Sequence, residues 1–387
     1  MRAVVCRDGE LKTTEVPDPV PGPGQILLEV RRCGICGSDL HARHSADDLA
    51  GVLAEIGYDD YMRAADPVVM GHEFSGVVLD SGTGAKPRPG TPVVALPLVR
   101  HGGELHAVGL SRKAPGGYAE QVVVQAALTL PVPNGLSLDI AALTEPMAVA
   151  WHAVNRGEVR RQDVAVVLGC GPVGLAVILV LKARGVATVV ASDPSPGRRI
   201  LALACGADAV VDPGEHDPFA GAPGYGHLTT MQAPIGAALD AVTGLGRLPV
   251  PWWHSWRILE KLGKTAPKAP VVFECVGIPG MLERVLTGAP LYSRVVVVGV
   301  CMGADTLRPA MALNKQLELR FVVGYTPLEF RDTLHALATG RLDPAPLLTG
   351  RVGLDGVPAA FDTLANPGTH AKVLVDPALA GTAIARA

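Results

Sequence analysis

The sequence predicts an α/β protein in two parts: a partly open, mostly antiparallel barrel-like domain and a doubly wound parallel sheet. Three observations carry that prediction. Over the first 150 residues or so, short Val-rich runs are cut by Gly and Pro, as in QILLEVRRCG, GHEFSGVVLD, TPVVALPLV and GGYAEQVVV. From about Asp163, apolar strands alternate with longer helical patterns: VAVVLG, GLAVILVLKARG, ATVVASD, RRILALACGA. That alternation marks a parallel sheet with helices on both faces. The same texture returns at APVVFECVG and SRVVVVGV.

The elements follow in order. The opening MRAVVCRDGELKTTEV alternates like a strand and lacks the apolar core of a signal peptide. Within DDLAGVLAEIGYDDYMRAAD, Leu49, Val52, Leu53 and Ile56 keep i, i+3, i+4, i+7 spacing, which predicts an amphipathic helix. Val164–Leu181 runs 18 residues without a charge, but GCGPVG interrupts it, so it reads as strand, turn and helix start rather than a membrane span. The stretch from about Asp212 to Pro270 is too long for a connection and reads as an insertion. Its PWWHSWRILEKLG predicts a local helix packed on its own tryptophans, with a role at the cleft rim or a subunit contact as the functional alternative. The last 60 or so residues, closing on AKVLVDP, look unlike further parallel-sheet units and are expected to return to the first domain.

At 387 residues the chain suits about two domains of the usual ~100–200 residues. Charged residues make up 18% and the formal charge is −3, without long runs of one sign, which excludes an electrostatic grip on nucleic acid. A small neutral or mildly charged partner is expected, with no membrane. Seven cysteines form an odd, scattered set, pointing to a reduced cytoplasmic compartment.

Gly169, Gly171 and Gly174 form a G-x-G-x-x-G turn, with Pro172 and Val173 inside it, between an apolar strand and a helical run. The first glycine permits the tight turn, the second the approach of a pyrophosphate and the third close packing of helix on strand. Asp193, 19 residues beyond the last glycine, suits a carboxylate on a ribose 2′-hydroxyl and favours NAD over NADP. Arg198 and Arg199 stand near enough in sequence to reach the ribose or to offset Asp193.

CGICGSDLH, residues 33–41, poses a choice between a disulfide, a closed structural zinc and a corner of an open catalytic site. Catalytic zinc keeps three protein ligands and one open position, often from separate elements. Cys36, His72 of VVMGHEFSG and Glu145 of ALTEPMAVAWHAV are the candidate ligands, with Glu73 beside His72. Cys33 reads as a core residue, as do Cys170, Cys205, Cys275 and Cys301. His44, His152, His335 and His370 carry no second feature of a ligand.

GICGSDLH, GHEFSG, GGYAE, EPMAVAWHAV, GCGPVG and FECVG, in this order and approximate spacing, resemble the zinc-dependent medium-chain alcohol and polyol dehydrogenases. The resemblance implies a GroES-like catalytic domain at 1–154 and 325–387 and a Rossmann NAD-binding domain at 155–324, interrupted at about 214–268. It implies that Cys36 and His72 ligate catalytic zinc. Glu145 takes the position of a glutamate near the metal in the sorbitol, butanediol and threonine dehydrogenase branch. It further implies that Glu73 approaches the zinc during exchange and that Asp39 orients His72. Ser38 and His41 match a proton relay from alcohol to surface. Val276 and Gly299 join the cofactor contacts, Lys372 approaches the cofactor phosphates, and the strand 317–323 joins subunits edge to edge in a homodimer or homotetramer.

Two departures stand out. The stretch before GGYAE lacks the four cysteines of a structural zinc, so one zinc per chain is expected, with His101, Glu104 and His106 as solvated loop residues. Cys36 and His72 lie 36 positions apart, longer than expected, which places the added helix near the active cleft. The expected reaction is hydride transfer between a secondary alcohol, diol or polyol and NAD+. Reduction of an aldehyde or ketone is the alternative in the opposite direction. A non-catalytic nucleotide-binding protein and a redox thiol pair are the competing classes.

Overall fold

In the computed structural model, residues 1–81, 86–366, 368 and 370–386 are described. Two sheets organise them. The parallel sheet has six strands in the order Ala209–Val211, Thr188–Ser192, Val164–Leu168, Val271–Glu274, Arg294–Val297 and Glu318–Phe321. Order reverses between Val164–Leu168 and Val271–Glu274, so the carboxyl ends of these neighbours part and leave a crevice there, the place where such sheets bind ligands. Strand Val164–Leu168 is buried throughout, as a central parallel strand covered on both faces must be. The following helix, Pro172–Ala183, buries every residue from Gly174 to Leu181. At about 1.5–3 kcal/mol per large aliphatic side chain removed from water, its leucines, valines and isoleucine anchor this half of the molecule.

The other large sheet runs Thr129–Pro131, Pro92–Ala95, Glu73–Ser81, Gln25–Gly34, Lys372–Val375 and Leu348–Val352, with Gln121–Gln125 also paired to Gln25–Gly34. Residues from both ends of the chain share this sheet, because Leu374 and Val375 pair with Gly34 and Cys33. That pairing brings Lys372 beside Glu73, 299 positions earlier in sequence. Leu98–His101 and Glu104–Ala107 form a separate hairpin.

Helix Gly37–Glu55 begins directly after Cys36 and bends at Ser45, whose φ of −135° and ψ of 33° lie outside the helical range. The expected amphipathic segment is its second half, but only part of the stripe is buried. Leu49 and Leu53 pack on the core, whereas Val52 and Ile56 are exposed. Ala42, Ala46 and Ala50 form the buried face instead, since small side chains let the helix lie close to the sheet. The insertion holds two helices, Gln232–Leu245 and Trp252–Lys261, neither with a buried residue. Trp252 meets Trp253 and Trp256 edge to face, and Ile235, Leu239, Trp253 and Leu262 are exposed. No helix among the described residues is long and apolar enough to cross a membrane.

Candidate active site

One cleft of about 1610 Å³ runs between the two sheets and is lined by residues of both. At one end lie Cys36, Ser38, His41, His72, Glu73 and Glu145, and at the other Gly169, Gly171, Pro172, Val173, Asp193, Arg198, Val276 and Gly299.

The first end is assembled by a strand, a helix start and a tight turn. Cys33, in the last turns of strand Gln25–Gly34, is fully buried, and burial pushes its thiol well above the usual range. Cys36 is half-buried at the helix start, and all seven cysteines are free. His72 follows Gly71, whose φ of +96° admits only glycine comfortably. A Cβ at Gly71 would come within 2.6 Å of Tyr118 and 2.8 Å of the Cys33 sulfur, so the turn is also closed to larger residues by packing.

Donor atoms of Cys36, His72 and Glu73 lie within 4.8 Å of one another. His72 Nδ1 is 3.3 Å from Asp39 Oδ1, and Nε2 is 3.3 Å from Ser38 Oγ on the cleft side. Asp39 is itself fixed: its Oδ2 accepts from the Cys36 N–H at 3.0 Å and from the Tyr118 hydroxyl at 2.6 Å. Burial alone would raise the Asp39 carboxyl, but His72 and these hydrogen bonds outweigh it and hold it below its ordinary value. A carboxylate that fixes one imidazole nitrogen leaves the other turned to the metal position. Thiolate, imidazole and carboxylate form a donor set suited to zinc, and these residues fit it.

The carboxylate in this group is Glu73, and Glu145 does not join it. Glu145 is buried on the same cleft. Burial pushes its carboxyl up to about 7, against the pull of nearby His72. Lys372 lines the same cleft. It is 1% exposed, and its ammonium donates to Glu73 Oε1 at 2.7 Å, Oε2 at 2.8 Å and the Ile35 carbonyl at 3.0 Å. All three of its donors are thus directed to buried acceptors. Tyr118 and Tyr325 were not singled out from the sequence. The tyrosine of GGYAE, set among small residues at a buried strand end, was the available signal for the first.

The second end is built from backbone. Gly169 has φ +91°, and a Cβ at Gly174 would fall 1.9 Å from the Gly169 carbonyl oxygen. A Cβ at Gly171 would meet nothing within 4 Å, so open space lies where a pyrophosphate would approach. Helix Pro172–Ala183 starts at this point, its N-terminus facing the cleft. Asp193, just past strand Thr188–Ser192, is 3% exposed and accepts from the Cys170 N–H at 2.8 Å and the Ser195 N–H at 2.8 Å. Arg198 Nη1 is 4.0 Å from Asp193, whereas Arg199 is turned away to Asp212 at 2.8 Å. A Cβ at Gly299 would fall 2.4 Å from Gly277 N, which keeps this wall flat beside Val276. These features fit a dinucleotide.

His106 departs from the expected solvated loop residue: it is completely buried. Of the insertion, Pro213–Phe219 line the cleft, while its tryptophans do not.

A metal corner facing a dinucleotide turn across one cleft defines a dehydrogenase of the two-domain, zinc-dependent type. Residues 22–134 match the alcohol dehydrogenase GroES-like domain, and nearly the whole chain is similar to named diol and polyol dehydrogenases. It is 28% identical to a (R,R)-butanediol dehydrogenase of Bacillus subtilis over 95% of this chain and 97% of that one. Human sorbitol dehydrogenase is 26% identical over 93% of this chain and 91% of its own length. The crystal structure of the Bacillus subtilis 2R,3R-butanediol dehydrogenase superposes with a TM-score of 0.73 at 27% identity, covering 97% of this chain and 99% of that one. A neighbour from Sinorhizobium meliloti, with TM-score 0.73 and 26% identity over 97% of this chain and 99% of its own, is bound to NADP.

Proposed function

We propose that the chain oxidises a secondary alcohol, diol or polyol with NAD+, using one catalytic zinc at Cys36, His72 and Glu73, with Glu145 beside it. The observation that carries this reading is that these donors share one cleft with the Gly169–Gly174 turn. When bound, zinc supplies the Lewis acidity that brings an alcohol's ionisation toward neutral pH, and NAD+ supplies the hydride acceptor.

The chain's own residues prepare the rest. Asp39 holds His72 in one tautomer, and Tyr118 holds Asp39. Lys372 neutralises Glu73, so that a second carboxylate, Glu145, can stand near the metal without a large excess of buried negative charge. Ser38, on the cleft wall, takes the alcohol proton, and the exposed imidazole of His41 passes it to solvent. Asp193 supports NAD over NADP, because a carboxylate repels a 2′-phosphate, with Arg198 a partial counterweight.

The division of labour between 1–154 with 325–387 and 155–324 belongs to the same reading. A homo-oligomer is supported by the edge position of strand Glu318–Phe321 and by exposed Phe321 and Val323 beside it. A reducing, cytoplasmic compartment is supported by seven unpaired cysteines.

The test is zinc content per chain in protein purified without chelator, paired with NADH absorbance on butane-2,3-diol, sorbitol and simple secondary alcohols. Cys36→Ala should remove one zinc and abolish turnover. Turnover unchanged in that variant would refute the reading. Asp193→Gly should lower the NAD-to-NADP preference in kcat/KM by about tenfold, roughly one charge-pair interaction of 1.4 kcal/mol.

A further inference from the structure

His106 presents a problem that the cleft does not solve. Its side chain is 0% exposed, and neither ring nitrogen has a hydrogen-bond partner among the described residues. Leaving a buried imidazole unsatisfied costs a few kcal/mol, so native proteins rarely do it. Around it stand two carboxylates from separate segments. Asp60 Oδ2 lies 3.5 Å from Nδ1 and Glu104 Oε2 lies 3.9 Å from Nε2, with one donor from each residue within 4.8 Å of the others. Both separations exceed a normal hydrogen bond. The Nδ1–Asp60 separation is close to the ~3.3 Å between two ligands of a tetrahedral ion with bonds of about 2.0 Å.

We propose that Asp60, Glu104 and His106 form a second divalent-metal site. Nδ1 ligates the ion together with Asp60 and an inward-turned Glu104, and Nε2 carries the ring proton. Imidazole with two carboxylates and no thiolate suits zinc or another borderline first-row ion held exchangeably. Lys113 Nζ reaches Asp60 Oδ1 at 2.9 Å and Glu104 Oε2 at 2.9 Å, but from a 40% exposed position. It offers donors to the carboxylates and satisfies neither nitrogen of His106. An ion displaces it toward solvent, and Glu104, 63% exposed, is free to turn inward.

The site fastens the hairpin Leu98–Ala107 to the segment that follows helix Gly37–Glu55. Two other bonds make the same join: the Ala107 N–H donates to the Tyr58 hydroxyl at 3.0 Å, and the Met62 N–H to the Leu110 carbonyl at 2.8 Å. Ala107, Val108 and Leu110 line the cleft, so the ion would stiffen a wall that a substrate touches.

The test is zinc per chain after dialysis against zinc and gel filtration, for the parent, Cys36→Ala, His106→Gln and the double variant. The expected values are two, one, one and none. A parent value of one that falls to zero in Cys36→Ala, with His106→Gln unchanged from the parent, overturns the proposal and makes the cluster an ion network closed by Lys113. A parent value of one that falls only in His106→Gln keeps the proposal and sinks the catalytic-zinc reading. Should His106→Gln fail to fold, Glu104→Gln on the surface replaces it with the same expected loss. Cobalt substitution separates the sites further: the near-ultraviolet thiolate band should vanish in Cys36→Ala and persist in His106→Gln. If the band is absent from Cys36→Ala and this variant binds no cobalt at all, the second site is likewise refuted.

Discussion

The two ends of the cleft present charge in opposite ways. At the metal end, buried ionised side chains answer one another: Glu73 with Lys372, and His72 with Asp39. At the nucleotide end, the Gly169–Gly174 turn and a helix N-terminus offer backbone N–H groups, and the buried carboxylate of Asp193 is fixed by the N–H groups of Cys170 and Ser195. The first arrangement is destroyed by deleting a side chain. The second is destroyed by adding one.

The largest expected effects test that contrast directly. Gly174→Val places branched carbon where a Cβ already falls 1.9 Å from a carbonyl oxygen, so NAD binding by calorimetry should be lost. The mirror experiment, Cys36→Ala, should leave NAD binding intact while kcat/KM falls by about a thousandfold or more, equivalent to the several kcal/mol a Lewis acid contributes. Loss of NAD binding in Cys36→Ala would break the comparison.

Next in size is Lys372→Met, which in zinc-free protein strands Glu73 as an unpaired buried charge. It should cost ~3–5 kcal/mol in denaturant unfolding, and Glu73→Gln in the same chain should recover most of that. No recovery would mean that Lys372 acts through packing alone.

The smallest effect lies outside the cleft. Burial raises the Glu329 carboxyl, but hydrogen bonds from the Thr326 N–H, Asn155 and His152 outweigh it and lower it to about 2 from its ordinary 4.5. A depressed carboxylate stabilises the fold above its unfolded value, and that contribution is lost as pH falls from about 4.5 toward 2. Glu329→Gln should therefore lower the unfolding midpoint at pH 7, with the difference from the parent shrinking below pH 4.5.

How much of this could be read from the sequence depended on distance along the chain. The nucleotide turn lies in six contiguous residues, and its chemistry is backbone chemistry that glycines announce. Cys36, Asp39, His72 and Glu73 were also recoverable, because each sits in a short motif. The pairing of Lys372 with Glu73 was not legible, because the two lie 299 positions apart and only the pairing of the two chain ends brings them together. Periodicity announced the helix after residue 47, but which residues meet the core was set by the bend at Ser45 and by a face of alanines. His106 looked like a loop residue because the residues that enclose it, Asp60 and Lys113, belong to other loops.

The insertion has a practical consequence. Phe219 and His227 ahead of its helices are buried, and the Leu291 N–H donates to the Leu228 carbonyl, so the chain up to there belongs to the body of the protein. Lys268 then returns to within 3.5 Å of the Cβ position at Gly226. Residues 230–266 thus leave and re-enter at nearly one point and take no part in the cleft. They form a detachable cassette, where a label, a tether to a surface or a second enzyme can be grafted in place of the two helices.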